Sequence, residues 1–179
     1  QDPFSLVLVH GGPGAAGSMS ILADNLSEEM GVIESLQTKL TIDDLIEELH
    51  QDIVGSTKNK VTLVGHSWGA MLSLLFTNRY PKIVERLILI GCPPLTPDFS
   101  EQITSNRFRR LSPYEAEMFN KHVEQLAKIS DSVNAAESFK IIEELTYRTD
   151  NYSPLDLETI HRKVLFNPEV FGSVWSEAE

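Results

Sequence analysis

Cysteine is what the chain has least of. Cys92 stands alone in 179 residues, which excludes an internal disulfide and any metal cluster built on cysteines. A lone thiol suits a reducing compartment, so a cytoplasmic location is expected. Long apolar runs are missing as well. No stretch approaches the ~20 residues of a membrane-spanning helix, and no secretory leader is legible. Basic residues are few. Lys and Arg number 15 against 26 Asp and Glu, a formal net charge of -11, which argues against nucleic acid or an anionic membrane as partner. No internal repeat or low-complexity segment occurs. What is left, 41% hydrophobic and 23% charged, is the composition of a globular protein long enough to bury a core. The chain opens on Gln1-Asp2-Pro3 and enters a strand almost at once, so a natural beginning further upstream is expected.

Strand and helix patterns alternate over the first half. Residues 4–9 are rich in leucine and valine, the pattern of a strand buried in a parallel sheet. A helix is expected over 19–30, capped by Ser18, with Ile21, Leu22, Leu26 and Met30 near helical spacing. Gly31-Val32-Ile33 reads as a second short strand. Thr41 and Asp44 open the next helix like a capping box, and Ile42, Leu45, Ile46, Leu49 and Ile53 form its apolar stripe, ending near Gly55. Strands over 61–64 and 87–90 enclose a helix over 70–80. Such alternation predicts a parallel α/β sheet. After Pro94 no strand is legible. Helix starts appear instead at Ser112-Pro113-Tyr114-Glu115, Ser153-Pro154-Leu155-Asp156 and Asn167-Pro168, each with a cap residue before proline. The expected domains are an α/β core over 1–94 and a helical unit over 95–179.

Two glycine-rich loops carry chemistry. Gly12-Pro13-Gly14-Ala15-Ala16-Gly17 matches G-x-G-x-x-G, and Glu34 lies roughly 20 residues on, where a ribose-binding acid would sit. Against dinucleotide binding, His10 and Gly11 displace the turn from its strand, and Pro13 removes an N–H from a loop that must offer donors. No lysine follows in the position a P-loop requires. No cofactor and no metal are expected.

The second loop is the stronger signal. Val61-Thr62-Leu63-Val64-Gly65-His66-Ser67-Trp68-Gly69-Ala70 places G-x-S-x-G between a strand and a helix. A strand that turns at once into a helix leaves the turn residue strained, its side chain pushed out at the top of the sheet. The chain then passes close to itself at Gly65 and Gly69, where a Cβ would clash. A hydroxyl held there stands near the positive end of the helix.

His10-Gly11-Gly12-Pro13-Gly14 after one strand and Gly65-His66-Ser67-Trp68-Gly69 after another together resemble the α/β-hydrolase superfamily, and within it the proline iminopeptidase branch. The resemblance covers residues 4–92, and a helical cap after the strand closed by Gly91 is usual there. It implies Ser67 as nucleophile and the backbone N–H groups of Trp68 and Gly12 as the oxyanion hole. His10 is implied to order its loop rather than act as base. Trp68 is left either to wall an acyl pocket or simply to pack. Iminopeptidases hold a free amine with carboxylates, for which Glu115, Glu117, Glu143 and Glu144 are available. The superfamily often has D-x-R-G-x-G-x-S between the two motifs. Here Glu34-Ser35-Leu36-Gln37-Thr38-Lys39 stands in its place, with no role legible.

A serine hydroxyl needs a base, and the base an orienting acid. After Ser67 only His122 and His161 remain, both in expected cap helices. The acid and base are therefore expected on strands beyond residue 179. The reading is a cofactor-free serine hydrolase acting on a small-molecule or short-peptide substrate, an amide or an ester. The alternative is a non-catalytic protein of the same fold that binds a ligand or partner.

Overall fold

The computed structural model describes residues 3–94, 96–126, 132–154 and 164–178. In chain order the elements are β1 (Phe4–Val9), β2 (Ala15–Ala16), α1 (Ser20–Ser27), β3 (Gly31–Ser35), α2 (Ile42–Ser56), β4 (Val61–His66), α3 (Trp68–Arg79), β5 (Val84–Ile90), α4 (Pro97–Arg110), α5 (Pro113–Leu126), α6 (Ser132–Asp150), β6 (Leu165–Phe166) and α7 (Pro168–Ala178). They fall into two compact units, residues 1–93 with 161–179, and residues 94–160.

The first unit is a parallel α/β sheet of order β3-β1-β4-β5. β1 is central and buried on both faces, which is why it reads as an unbroken apolar run. Val7 and Val9 join a core with Leu45, Leu49 and Ile53 of α2, Leu72 and Phe76 of α3, and Val170 and Val174 of α7. Leu6 and Leu8 point the other way and pack with Met19, Val64 and, from α1, Ala23 and Leu26, while Ile21 and Leu22 stay exposed. β5 closes one edge, and there Ile88, Leu89 and Ile90 remain exposed.

Local chemistry sets most boundaries. The Thr41 hydroxyl accepts from the Asp44 N–H at 3.1 Å and starts α2. At α1 the structure differs from expectation. The helix begins at Ser20 with Met19 as cap residue, and the Ser18 hydroxyl is buried without a partner.

Residues 164–178 also differ. A helical unit without strands was expected over 95–179, yet Leu165–Phe166 forms a strand antiparallel to Ala15–Ala16, and α7 packs in the first unit. Its stripe, Val170 and Val174, belongs to the core cluster that β1, α2 and α3 also build.

In the second unit, Ser112 and Glu115 cap each other reciprocally at the start of α5: the Ser112 N–H donates to Glu115 Oε2 at 2.8 Å and the Glu115 N–H to the Ser112 hydroxyl at 3.3 Å. Arg148 of α6 also donates to Glu115, and together these contacts draw its pKa down to about 2. Arg107 of α4 joins Asp150 of α6 at 2.8 Å. The expected start at Ser153-Pro154-Leu155-Asp156 runs into residues outside the described ones. Among the described residues no helix is long and apolar enough to cross a membrane, and no cluster of His, Cys, Asp or Glu could hold a metal ion.

Candidate functional site

β4 ends at His66 and α3 begins at Trp68, so Ser67 alone makes the turn. Its backbone lies at φ 52, ψ -122, a region that L-residues rarely occupy and that costs on the order of 1–3 kcal/mol. The structure holds it there from both sides. The Ser67 N–H donates to the Ile90 carbonyl at 2.9 Å, and the Ser67 carbonyl accepts from the Ala70 N–H at 2.9 Å. Trp68 is the first residue of α3, so its backbone N–H belongs to the first turn, whose donors have no partner inside the helix.

The flanking glycines are sterically required. A Cβ on Gly65 would lie 2.3 Å from the Gly69 carbonyl oxygen, and one on Gly69 would lie 2.1 Å from that of Val9. The G-x-S-x-G spacing is thus the imprint of α3 crossing directly over the ends of β1 and β4.

The loop after β1 reaches the same place. A Cβ on Gly11 would come 2.9 Å from Ser67 Cβ and 3.0 Å from the His66 ring. Gly12 and Gly14 take φ 68 and φ 69, left-handed backbone that favours glycine, and the Ala15 N–H returns to the Gly12 carbonyl at 3.0 Å. Beyond this turn the chain becomes a strand, not a helix. Ala15 pairs with Phe166, and the Asn167 N–H donates to the Gly14 carbonyl at 2.8 Å. That removes the loop-to-helix junction a dinucleotide-binding turn requires. Glu34, the residue set against a ribose, sits instead beside the Met19 backbone, and burial raises its pKa.

His10 is fully buried. Its Nε2 lies 3.2 Å from the Leu36 carbonyl and its Nδ1 3.1 Å from that of Gly11. A neutral ring has one proton to give, and only the Leu36 contact joins separate segments. Burial pushes the His10 pKa down, against weaker opposing effects of its backbone contacts, and so favours the neutral ring. Trp68 is buried in the core, and its indole N–H donates to Gln37 Oε1 at 3.0 Å. Of the two roles open to it, packing is the one the structure supplies.

Of the other histidines, His66 ends β4 at the turn itself, its ring 3.0 Å from the place a Gly11 Cβ would take. His122 is buried in the second unit, 3.0 Å from the Ser138 hydroxyl. His50 stacks on Tyr80. His161 lies outside the described residues. Of the four acids offered for amine binding, Glu115 is taken up by Ser112 and Arg148, and Glu144 pairs with Lys140.

Gln37 is the site residue the sequence did not reveal. It is buried, takes φ 55, and joins the His10 carbonyl to the Trp68 indole. The only local sign is its position two residues past the end of β3, a parallel strand.

The chain matches the α/β hydrolase fold family over residues 33–139, and it belongs to that family. Among curated proteins it is 39% identical over 56 residues to epoxide hydrolase 3 of Mus musculus, covering 31% of this chain and 15% of that protein. It is 29% identical over 140 residues to the lysosomal Pro-X carboxypeptidase of Mus musculus, covering 75% of this chain and 27% of that protein. The chain therefore spans between 15% and 27% of the length of these two relatives. Among solved structures, that of VinJ superposes with a TM-score of 0.56 at 20% identity, over 80% of this chain and 53% of that one. That likeness is one of fold.

Proposed function

We propose that the protein is a serine hydrolase of iminopeptidase-like type, acting on a small-molecule or short-peptide amide or ester without a cofactor. The observation that carries the reading is Ser67 itself, strained at the β4–α3 turn with Gly11 packed against it. In this reading the Ser67 hydroxyl attacks the substrate carbonyl carbon. The backbone N–H groups of Trp68 and Gly12 hold the resulting oxyanion, each worth about 3 kcal/mol in comparable chemistry. The base takes the hydroxyl proton and passes it to the leaving group, which departs, and water then hydrolyses the acyl ester. His10 keeps the Gly11–Gly12 loop in shape and stays uncharged. The base and acid are expected outside the described residues. The similarity to a Pro-X carboxypeptidase supports the peptide side of the substrate class. A cytoplasmic setting goes with the single free Cys92, and neither nucleic acid nor a membrane surface enters the reading.

A non-catalytic binding protein is the second reading. It is favoured by the contacts that already occupy His10, His50 and His122, with the Leu36 carbonyl, the Tyr80 ring and the Ser138 hydroxyl. One comparison separates the possibilities: turnover of a proline arylamide and of a short-chain p-nitrophenyl ester by the full-length protein and its Ser67→Ala variant. Serine-dependent arylamide cleavage supports the iminopeptidase type. Ester cleavage alone moves the assignment to an acyl hydrolase. No serine-dependent turnover of either leaves the binding protein.

A further inference from the structure

We propose that Gln37 is a positioning residue that locks the Gly11–Gly12 loop and the start of α3 into one frame, through hydrogen bonds to the His10 carbonyl and the Trp68 indole. The proposal rests on the hydrolase reading, because it names what holds the two halves of that site in register.

Three observations carry it. The first is connectivity. Gln37 Nε2 donates to the His10 carbonyl at 2.8 Å, and Gln37 Oε1 accepts from Trp68 Nε1 at 3.0 Å. A carbonyl can only accept and an indole N–H can only donate, so one amide orientation alone satisfies both, and the ionised Glu of the same length would offer acceptors alone. The two ends attach next to the residues that matter. His10 precedes Gly11, and Trp68 follows Ser67.

The second is burial. Gln37 is 1% exposed and Trp68 4%. An amide in that setting is stable only while both bonds persist, because a lost partner leaves a buried polar group unpaired.

The third is backbone strain. Gln37 takes φ 55, which a non-glycine residue holds only when its surroundings compel it. They do. Leu36 O contacts the His10 ring, the Thr38 N–H donates to Glu48 Oε2 at 2.8 Å, and the Thr38 hydroxyl also bonds Glu48. The segment is fastened to α2 on one side and to the site on the other. A strained backbone that aims a buried side chain at two loops is what a positioning role requires.

The test uses the full-length protein with 15N-labelled tryptophan indole groups. The Trp68 resonance is the one lost in Trp68→Phe, and Trp175, on α7, is the reference. In the wild type, a nuclear Overhauser contact between the Trp68 indole proton and the Gln37 side-chain amide is expected, and its absence overturns the proposal without any variant having to fold. In Gln37→Met, which keeps length but neither function, the Trp68 indole resonance should shift while that of Trp175 stays. In the same variant kcat for a p-nitrophenyl ester should fall about tenfold or more, with KM changed less than about twofold. An unmoved Trp68 resonance, or a moved resonance with unchanged kcat, overturns the proposal. Failure of the hydrolase reading appears separately, as wild-type turnover that does not depend on Ser67.

Discussion

Gly11 and Ser67 are in contact: a single methyl group on Gly11 would sit 2.9 Å from the Ser67 Cβ. The nearest atoms are the Ser67 Cβ, the His66 Nδ1 at 3.0 Å and the His66 carbonyl oxygen at 3.1 Å, and of these only the His66 ring can swing aside. Gly11→Ala should therefore push the loop off the turn and leave the rest of the sheet in place. The expected cost is about 1–3 kcal/mol of stability, with a much larger proportional loss of serine-dependent turnover. Thermal melting alongside ester kinetics checks it. Wild-type turnover in Gly11→Ala would mean that loop and turn do not cooperate.

Ser67 should be more valuable to function than to folding. Its φ of 52 costs about 1–3 kcal/mol in a non-glycine residue. Glycine removes that strain and brings back about 0.5–1 kcal/mol of chain entropy. Ser67→Gly is expected to raise stability by about 1 kcal/mol, whereas Ser67→Ala, which keeps the Cβ, should leave it nearly unchanged. Both should abolish serine-dependent turnover. Denaturant melts of the three proteins, compared at midpoint, decide it. Equal stability of the glycine and alanine variants would show that the turn is not strained.

The buried His10 gives the fold a pH dependence of known sign. Its folded pKa lies below the ordinary value of 6.5, chiefly because burial disfavours the charged ring. The unfolded chain thus takes up a proton first. The contribution of neutral His10 is fully present above that value and is lost as the pH falls below it. Stability should decline on acidification from pH 7 toward 5 more steeply in the wild type than in His10→Gln. The same slope in both proteins would contradict the burial argument.

The turn was legible in the sequence because its requirement is local. Gly65 and Gly69 are separated from Ser67 by the same few bonds that create the clash, so the motif is a direct record of the geometry. Thr41, Ser112 and Asn167 were legible for the same reason, since each caps a helix through N–H groups two or three residues on. Gln37 was not. Its partners lie 27 and 31 residues away, and nothing in Glu34-Ser35-Leu36-Gln37-Thr38-Lys39 announces them. β6 was missed because two residues leave no periodicity, and its partner Ala15–Ala16 lies at the other end of the chain. The same distance hid α7, whose core-facing Val170 and Val174 look from sequence like any cap helix.

The central claim is that Ser67 is a nucleophile. The most direct measurement is to treat the full-length protein with a fluorophosphonate and locate the adduct by peptide mass spectrometry. The account predicts one adduct, on Ser67, formed faster than on free serine and absent from Ser67→Ala. An unlabelled Ser67, or labelling that persists undiminished in Ser67→Ala, would contradict it.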